Sequence, residues 1–173
     1  IWNELQSEII ELDKIRVAFI YHRDNVFLRG KHYDNTYYHF FMNALKRNPE
    51  LEVKYFATDD TLDASTLRDK CDIILLWHNN EFGMPKNIVG IQDLDIPVIA
   101  RSTDPKDVPK SIPFHEKWKI DYYFNFMHES YFYKFYPRSY KYKTIIWGLE
   151  PSLYQNLKPW KGRLNKILNS GAT

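Results

Sequence analysis

The sequence predicts an α/β domain of three layers, in which helices cover both faces of a mostly parallel sheet of about six strands. Short apolar runs rich in β-branched and aromatic residues recur along the chain, and helical or polar segments separate them. That alternation is typical of a parallel sheet. The length of 173 residues, with 44% hydrophobic and 27% charged residues, also suits one ordinary globular domain.

The chain opens with a predicted helix, followed by a unit of strand, loop and helix. Apolar residues at helical spacing predict a short amphipathic helix within residues 1–14. The nearly continuous apolar run Ile15–Tyr21 predicts a buried strand, and a polar loop follows it. Capping residue types at positions 34–36 and an apolar face over 37–45 then predict a helix that Pro49 ends.

Five further apolar runs predict the other strands. They are Leu51–Ala57, Asp72–Trp77, Ile96–Ala100, Tyr122–Phe126 and Lys143–Trp147. Asp72–Trp77 is the most apolar of them, so we expect it to be a central strand. Between the first two of these runs, Leu62–Cys71 is predicted to be a short helical stretch.

Residues 128–142 form a segment that mixes aromatic and basic side chains. Two aromatic pairs with a spacing of four, Tyr131 with Phe135 and Phe132 with Tyr136, favour a helix that covers the sheet. The alternative is a surface that meets an anionic lipid or a phosphorylated acceptor. The charge distribution keeps this alternative open, because residues 106–173 carry 12 Lys and Arg against 5 Asp and Glu.

Composition and motifs argue against several classes of protein. No apolar run is long enough to cross a membrane, and a single cysteine excludes both a disulfide framework and a cysteine zinc cluster. The net charge of +2 is too balanced for a dedicated nucleic-acid binder. The chain contains no dinucleotide fingerprint, P-loop or hydrolase nucleophile elbow. Its six histidines show no metal-ligand spacing, so no metal site is expected.

Candidate site residues follow five of the six predicted strands, at the carboxyl edge where open parallel sheets bind ligands. They are His22, Arg23, Asn25, Arg29 and Gly30; His78, Asn79 and Asn80; Arg101, Ser102, Thr103 and Asp104; His128; and Gly148 and Glu150. Among the carboxylates, Asp104 is the one we single out for a functional role, and a role in a turn or as a helix cap is an equally good alternative. His128 is a candidate proton acceptor near neutral pH, with an ordinary surface imidazole as the alternative.

The run from Thr144 to Trp160 resembles the segment that closes the N-terminal domain of GT-B glycosyltransferases. In that segment a strand is followed by Gly-Val-Asp and then by Phe and Pro. These places are filled by Gly148, Leu149, Glu150, Leu153 or Tyr154, and Pro159. Glu150 replaces the usual Asp, and Pro159 comes later than is common. The preceding order of elements is also similar, over about residues 15–171. The nearest group is the CgeB/YkvP-like one, related to family-1 and family-4 enzymes.

This resemblance implies a Rossmann-like domain that is one half of a GT-B fold. Residues 15–160 would be the acceptor-side domain, 1–14 a helical extension, and 161–173 the start of a truncated second domain that binds the donor. The chain would be the acceptor-binding half of an enzyme that transfers a sugar from a UDP- or GDP-sugar to an acceptor hydroxyl. Asp104 and His128 would be the candidate catalytic bases, and the other strand-end residues would contact the acceptor.

The expected partners are the donor-binding domain and a sugar or glycan acceptor, in the cytoplasm. Peripheral membrane contact and self-association are further expectations, and nucleic acid is not an expected partner. The chain alone is expected to bind no cofactor and to be inactive. The alternative interpretation is a non-catalytic Rossmann or flavodoxin-like module that binds a ligand or a regulatory partner.

Overall fold

The computed structural model describes residues 13–25, 28 and 37–145 of the chain. Several predictions fall outside these residues: nearly all of the helical extension 1–14, the site residues Arg29, Gly30, Gly148 and Glu150, and the proposed start of a second domain at 161–173. Within the described residues, no helix combines the length and the apolar character that crossing a bilayer requires.

The described elements alternate between strands and helices along the chain. In order they are β1 (Ile15–His22), α1 (Tyr37–Arg47), β2 (Leu51–Thr58), β3 (Thr61–Asp63), β4 (Ile73–Leu76), β5 (Asn87–Val89), β6 (Val98–Arg101), α2 (Val108–Ser111), α3 (Pro113–Lys117), β7 (Tyr122–Asn125), α4 (Glu129–Phe132) and β8 (Tyr142–Thr144). Short 3₁₀ helices cover Ala64–Leu67, Ile91–Asp93 and Pro105–Asp107.

Six of these strands form one parallel sheet in the order β2-β1-β4-β6-β7-β8. The α/β fold with a six-stranded parallel sheet and flanking helices, a Rossmann-like three-layer sandwich, is thereby confirmed. The chain leaves β1 towards β2 and then returns to β4 on the other side of β1. Strand order therefore reverses between β1 and β4, and such a switch point opens a crevice at the carboxyl ends of the strands.

The central strands are the most deeply buried part of the sheet. Ile74 and Leu76 on β4 are fully buried, as are Phe19 and Ile20 on β1. β4 pairs with β1 on one side and with β6 on the other, which confirms the prediction that the most apolar run is a central strand. Apolar burial on both faces explains why this run lacks the alternation of a half-exposed strand.

The predicted helical stretch Leu62–Cys71 is wrong in part. Residues 61–63 form β3, which pairs in parallel with β5 through Leu62 and Ile88 as a separate two-stranded sheet. The Asp63 carboxylate then accepts a hydrogen bond from the Ser65 amide at 2.9 Å. This cap starts only the single 3₁₀ turn of Ala64–Leu67. Strand pairing with a distant segment has therefore replaced the first helical turn that local spacing suggested.

Residues 128–142, the aromatic segment, cover the sheet with one of their two faces. Phe132 and Tyr136 are buried, and their rings stack with centroids 4.3 Å apart. Phe132 also stacks on Tyr142 of β8 at 4.0 Å. The other pair, Tyr131 and Phe135, is exposed. The predicted covering role is confirmed for the inner pair, although the α-helical part is short, covering only Glu129–Phe132.

Candidate functional site

A cleft of about 860 Å³ opens at the carboxyl edge of the sheet. The ends of β1, β4 and β6 contribute to its wall, so it lies at the switch point of the strand order. Residues predicted for the site that line it are His22, Asn25, His78, Asn80, Arg101, Thr103 and Asp104. The structure thus brings together residues from three loops that are far apart in the sequence.

Other predicted residues have structural contacts elsewhere. Asn79 is fully buried, donates to the Tyr136 hydroxyl at 2.9 Å and accepts from the Thr103 amide at 2.9 Å. Ser102 is also fully buried, and its hydroxyl oxygen accepts from Asn125 Nδ2 at 3.1 Å. Arg23 is exposed and pairs with Asp59 at 2.8 Å. These side chains fix the loops, and none of them lines the cleft as the structure describes it.

Alternation separates the lining residues from the structural ones. Residues 78 and 80 line the cleft while 79 is turned into the core, and 101 and 103 line it while 102 is turned away. Successive side chains of an extended chain point to opposite faces, and here this period of two continues past the ends of β4 and β6. This alternation can be read from the sequence, but a prediction based only on position after a strand does not take it into account.

Several lining residues were not predicted from the sequence. They are Asp60, Gly83, Met84, Lys86, Lys106, Asp107, Lys110 and Phe114. Asp24, Glu81 and Phe82 also line the cleft, and they belong to the loops 22–30 and 78–82, which the sequence predicts to line it. Asp60 follows the predicted strand Leu51–Ala57, so its strand-end position was a usable signal. Lys86 gave none, since it meets Asp60 only through the pairing of β3 with β5.

The loop after β4 folds back on the end of β1 through Gly83. Its carbonyl oxygen accepts from the His22 amide at 2.9 Å and from Asn25 Nδ2 at 3.1 Å. Gly83 has a φ of 68°, and a Cβ there would lie 2.2 Å from Asn25 Nδ2. The side-chain oxygen Oδ1 of Asn80 accepts from the Phe82 amide at 2.9 Å. These bonds leave the Phe82 side chain 52% exposed at the wall of the cleft.

His78 and Arg101 form a contact across adjacent strands. His78 is only 8% exposed, and its Nε2 lies 3.0 Å from Arg101 Nη1. A guanidinium can only donate, so Nε2 accepts and the ring proton is on Nδ1. Burial, with a smaller effect from the Arg101 charge, lowers the pKa of His78 to about 3. The imidazole is therefore neutral at physiological pH.

The same contact positions the guanidinium. Arg101 lies over the Trp77 ring, with its Cζ 5.4 Å from the ring centroid, and it lines the cleft. His78 Nδ1 is buried, and no hydrogen-bond partner faces it among the described residues. His78 is thus suited to orienting Arg101 and to donating a hydrogen bond, and not to accepting a proton at neutral pH.

His22 is held through both of its ring nitrogens. Nδ1 accepts from the Asp24 amide at 3.0 Å, and Nε2 lies 3.4 Å from an Asp60 carboxylate oxygen. The other Asp60 oxygen pairs with Lys86 Nζ at 2.9 Å, and this hydrogen bond with Lys86 lowers the pKa of Asp60. The chain of contacts ties the end of β1 to the start of β5. His22 is therefore a support of the cleft wall and a poor candidate for a base.

The two candidate catalytic residues lie in different settings. Asp104 is exposed at the cleft, immediately before the 3₁₀ helix Pro105–Asp107. Its carbonyl oxygen accepts from the Asp107 amide at 2.9 Å, but its carboxylate makes no capping bond. His128 does cap a helix: Nδ1 accepts from the Ser130 amide at 3.2 Å, and it also lies 2.8 Å from Ser130 Oγ. His128 is not among the described residues that line the cleft.

The wall of the cleft combines carboxylates, amides, a hydroxyl, cations and two aromatic rings, Phe82 and Phe114. Hydrogen-bonding groups around an apolar ring face suit a ligand that has both many hydroxyls and an apolar face. Among residues 13–25, 28 and 37–145, no three His, Cys, Asp or Glu side chains are grouped as metal ligands. Comparison of the chain with protein-family models, curated proteins and solved structures finds no match.

Proposed function

We propose that this chain is the acceptor-binding half of a glycosyltransferase and that its cleft binds a sugar or glycan. The observation that carries the proposal is the cleft at the switch point, where polar residues from three strand ends surround the exposed Phe82 ring. The resemblance of Thr144–Trp160 to the closing segment of GT-B N-terminal domains supports the same activity. A cytoplasmic location and a UDP- or GDP-sugar donor, held by a second domain, belong to this proposal.

Sugar binding would use the two kinds of surface that the cleft offers. The Phe82 ring would stack on the C–H face of a pyranose, since an aromatic face packs well against apolar ligand surface. Asn80 Nδ2 is 3.4 Å from the Thr103 hydroxyl and 3.5 Å from the Ser111 hydroxyl, both long for hydrogen bonds. The side-chain amide of Asn80 can therefore donate to a ligand hydroxyl without giving up a strong hydrogen bond within the protein.

Transfer to a hydroxyl requires a group that accepts its proton. Asp104 is placed for this role because its carboxylate is exposed at the cleft and caps no helix. In the proposed step, the acceptor oxygen bonds to the anomeric carbon, its proton passes to Asp104, and the nucleoside diphosphate leaves with the electrons of the broken bond. Arg101, which is oriented by His78 and lines the same cleft, would bind a hydroxyl of the acceptor.

Calorimetric titration of the chain with a panel of free sugars, and separately with UDP- and GDP-sugars, tests the acceptor role. We expect at least one free sugar to bind, and Phe82→Ala to weaken it about fivefold or more. Arg23→Ala, at an exposed residue outside the described lining, is the matched control and should bind like wild type. Tight binding of nucleotide sugars with none of free sugars would contradict the acceptor role.

A non-catalytic binding module is the second candidate. The observation in its favour is the strand order, because β2-β1-β4-β6-β7 is the doubly wound order of flavodoxin-like proteins. Such a module would bind a small ligand in the same cleft and transfer nothing. Sugar transfer by the full-length protein, lost in Asp104→Asn, would exclude it; ligand binding without any transfer would favour it.

A further inference from the structure

The aromatic segment carries rings on both faces, and the rings on its outer face are exposed. The inner pair, Phe132 and Tyr136, is buried against the sheet. The outer pair, Tyr131 and Phe135, forms an edge-to-face contact with centroids 5.2 Å apart. These two rings are 40% and 41% exposed. A covering helix needs only one aromatic face, so packing within the described domain does not account for the outer pair.

One cation lies against the outer pair, and a second lies against the neighbouring Tyr133 ring. Lys134 Nζ lies 5.5 Å from the Tyr131 ring centroid, and Arg138 Cζ lies 4.9 Å from the Tyr133 ring centroid. Both cations are exposed. Across residues 129–143 the basic residues are Lys134, Arg138, Lys141 and Lys143, and the only acidic one is Glu129. The surface is therefore aromatic and positively charged, and it attracts anions.

We propose that this outer surface, made of Tyr131, Lys134, Phe135 and Arg138, docks on an anionic lipid bilayer. Amphipathic aromatic rings are favoured at the boundary between headgroups and acyl chains, and lysine and arginine beside them are attracted to anionic headgroups. Charge complementarity selects an anionic partner. Two exposed rings in contact add an apolar component, which the boundary between headgroups and acyl chains of a bilayer accommodates.

The docking surface is connected to the cleft. The Tyr136 hydroxyl accepts from Asn79 Nδ2 at 2.9 Å, and Asn79 lies between the cleft residues His78 and Asn80. The segment also packs on Tyr123 of β7 through Phe132 and Tyr136. Docking would therefore hold the carboxyl edge of the sheet near the bilayer. This inference stands independently of what the cleft binds.

Sedimentation of the full chain with vesicles tests the docking. The probes are vesicles of phosphatidylcholine alone and of phosphatidylcholine mixed with phosphatidylserine, each at low and at high salt. We expect binding only to the anionic vesicles and a loss of binding at high salt. Lys134→Glu combined with Arg138→Glu should weaken binding about tenfold or more. Tyr131→Ser combined with Phe135→Ser should weaken it even at low salt.

A matched control is the pair Arg68→Glu and Lys70→Glu. These residues are exposed and precede β4, at the opposite, amino edge of the sheet, and the change in net charge is the same. The control should bind vesicles like wild type. Circular dichroism and thermal unfolding verify that each variant folds. Absence of binding to anionic vesicles, equal loss in the control, or full retention by either surface variant would overturn the proposal. If a single-stranded oligonucleotide bound equally tightly and the same variants lost that binding, the surface would recognise polyanions in general and not a lipid bilayer.

Discussion

The Nε2 atom of His78 accepts a hydrogen bond from the guanidinium of Arg101 at 3.0 Å, across the neighbouring ends of β4 and β6. The imidazole is neutral because burial lowers its pKa to about 3. A neutral acceptor can orient Arg101 without neutralising its charge. The guanidinium is thus held at the cleft, over Trp77, while it remains a cation.

This neutral histidine predicts how stability depends on pH. The pKa of His78 is about 3 in the folded chain and near 6.5 when unfolded, so the unfolded state binds the proton first. The contribution of neutral His78 to the free energy of unfolding is fully present above pH 6.5, and it is lost as the pH falls towards 3. Between about pH 6.5 and pH 5, the free energy of unfolding should fall by about 2 kcal/mol through this residue.

Urea unfolding of wild type and His78→Gln at several pH values measures that contribution. Glutamine does not titrate, and its carbonyl oxygen can still accept from Arg101. In the variant, the free energy of unfolding should therefore fall less between pH 6.5 and pH 5 than it does in wild type. Subtracting the profile of the variant from that of wild type isolates the contribution of His78 to the free energy of unfolding. An unchanged profile in His78→Gln would show that the buried imidazole is not the titrating group.

Gly83 gives a prediction about the cleft wall. Gly83→Ala places a Cβ 2.2 Å from Asn25 Nδ2 and keeps a φ of 68°, so it should destabilise the fold by about 2–4 kcal/mol. Gly90→Ala is the matched control, because φ is 75° but the nearest atom is 3.8 Å away. It should cost only about 1–2 kcal/mol. Denaturant unfolding of both variants gives the difference between the two losses of stability, and this difference is the free energy that the contact with Asn25 costs.

The double variant Gly83→Ala with Asn25→Ala separates steric conflict from backbone strain. Removing the Asn25 amide relieves the conflict but also removes its bond to the Gly83 carbonyl oxygen. We expect the double variant to be more stable than the sum of the two single changes predicts. Strict additivity would mean that the two residues do not interact in solution as the structure shows.

The sheet was predictable from local patterns, whereas the cleft was predictable only in part. Continuous apolar runs identified β1 and β4, because strands buried on both faces need apolar residues at every position. The cleft residues His78 and Arg101 followed from their places at strand ends. Lys86 did not, since only the pairing of β3 with β5 brings it to Asp60. Its loop has no local pattern that reports this pairing.

Tyr136→Phe tests the contact between the aromatic segment and the loop after β4. The change removes the hydroxyl that accepts from Asn79 Nδ2, and Asn79 is fully buried. A buried donor left without its partner should lower the free energy of unfolding by about 1–3 kcal/mol. Tyr131→Phe, at an exposed ring, is the control and should change it by less than about 0.5 kcal/mol. Equal stability of the two variants would contradict the buried bond.

Asp104→Asn tests the proposed base in the full-length protein. Asparagine keeps the size of the side chain but cannot accept the proton at neutral pH, so turnover should fall about 10²–10⁴-fold. Thermal unfolding should be unchanged, because Asp104 is exposed and its carboxylate caps no helix. Transfer from a labelled nucleotide sugar to the acceptor found by titration is the assay.

Asp107→Asn distinguishes a base from a general charge effect. Asp107 lines the same cleft three residues away and pairs loosely with Lys110 at 3.8 Å. Removing its charge changes the local potential as Asp104→Asn does, but leaves the proposed base in place. We expect a loss of turnover of about tenfold or less, with acceptor affinity near that of wild type. Comparable losses in both variants would assign the effect to charge, and wild-type turnover in Asp104→Asn would remove this residue from the base role.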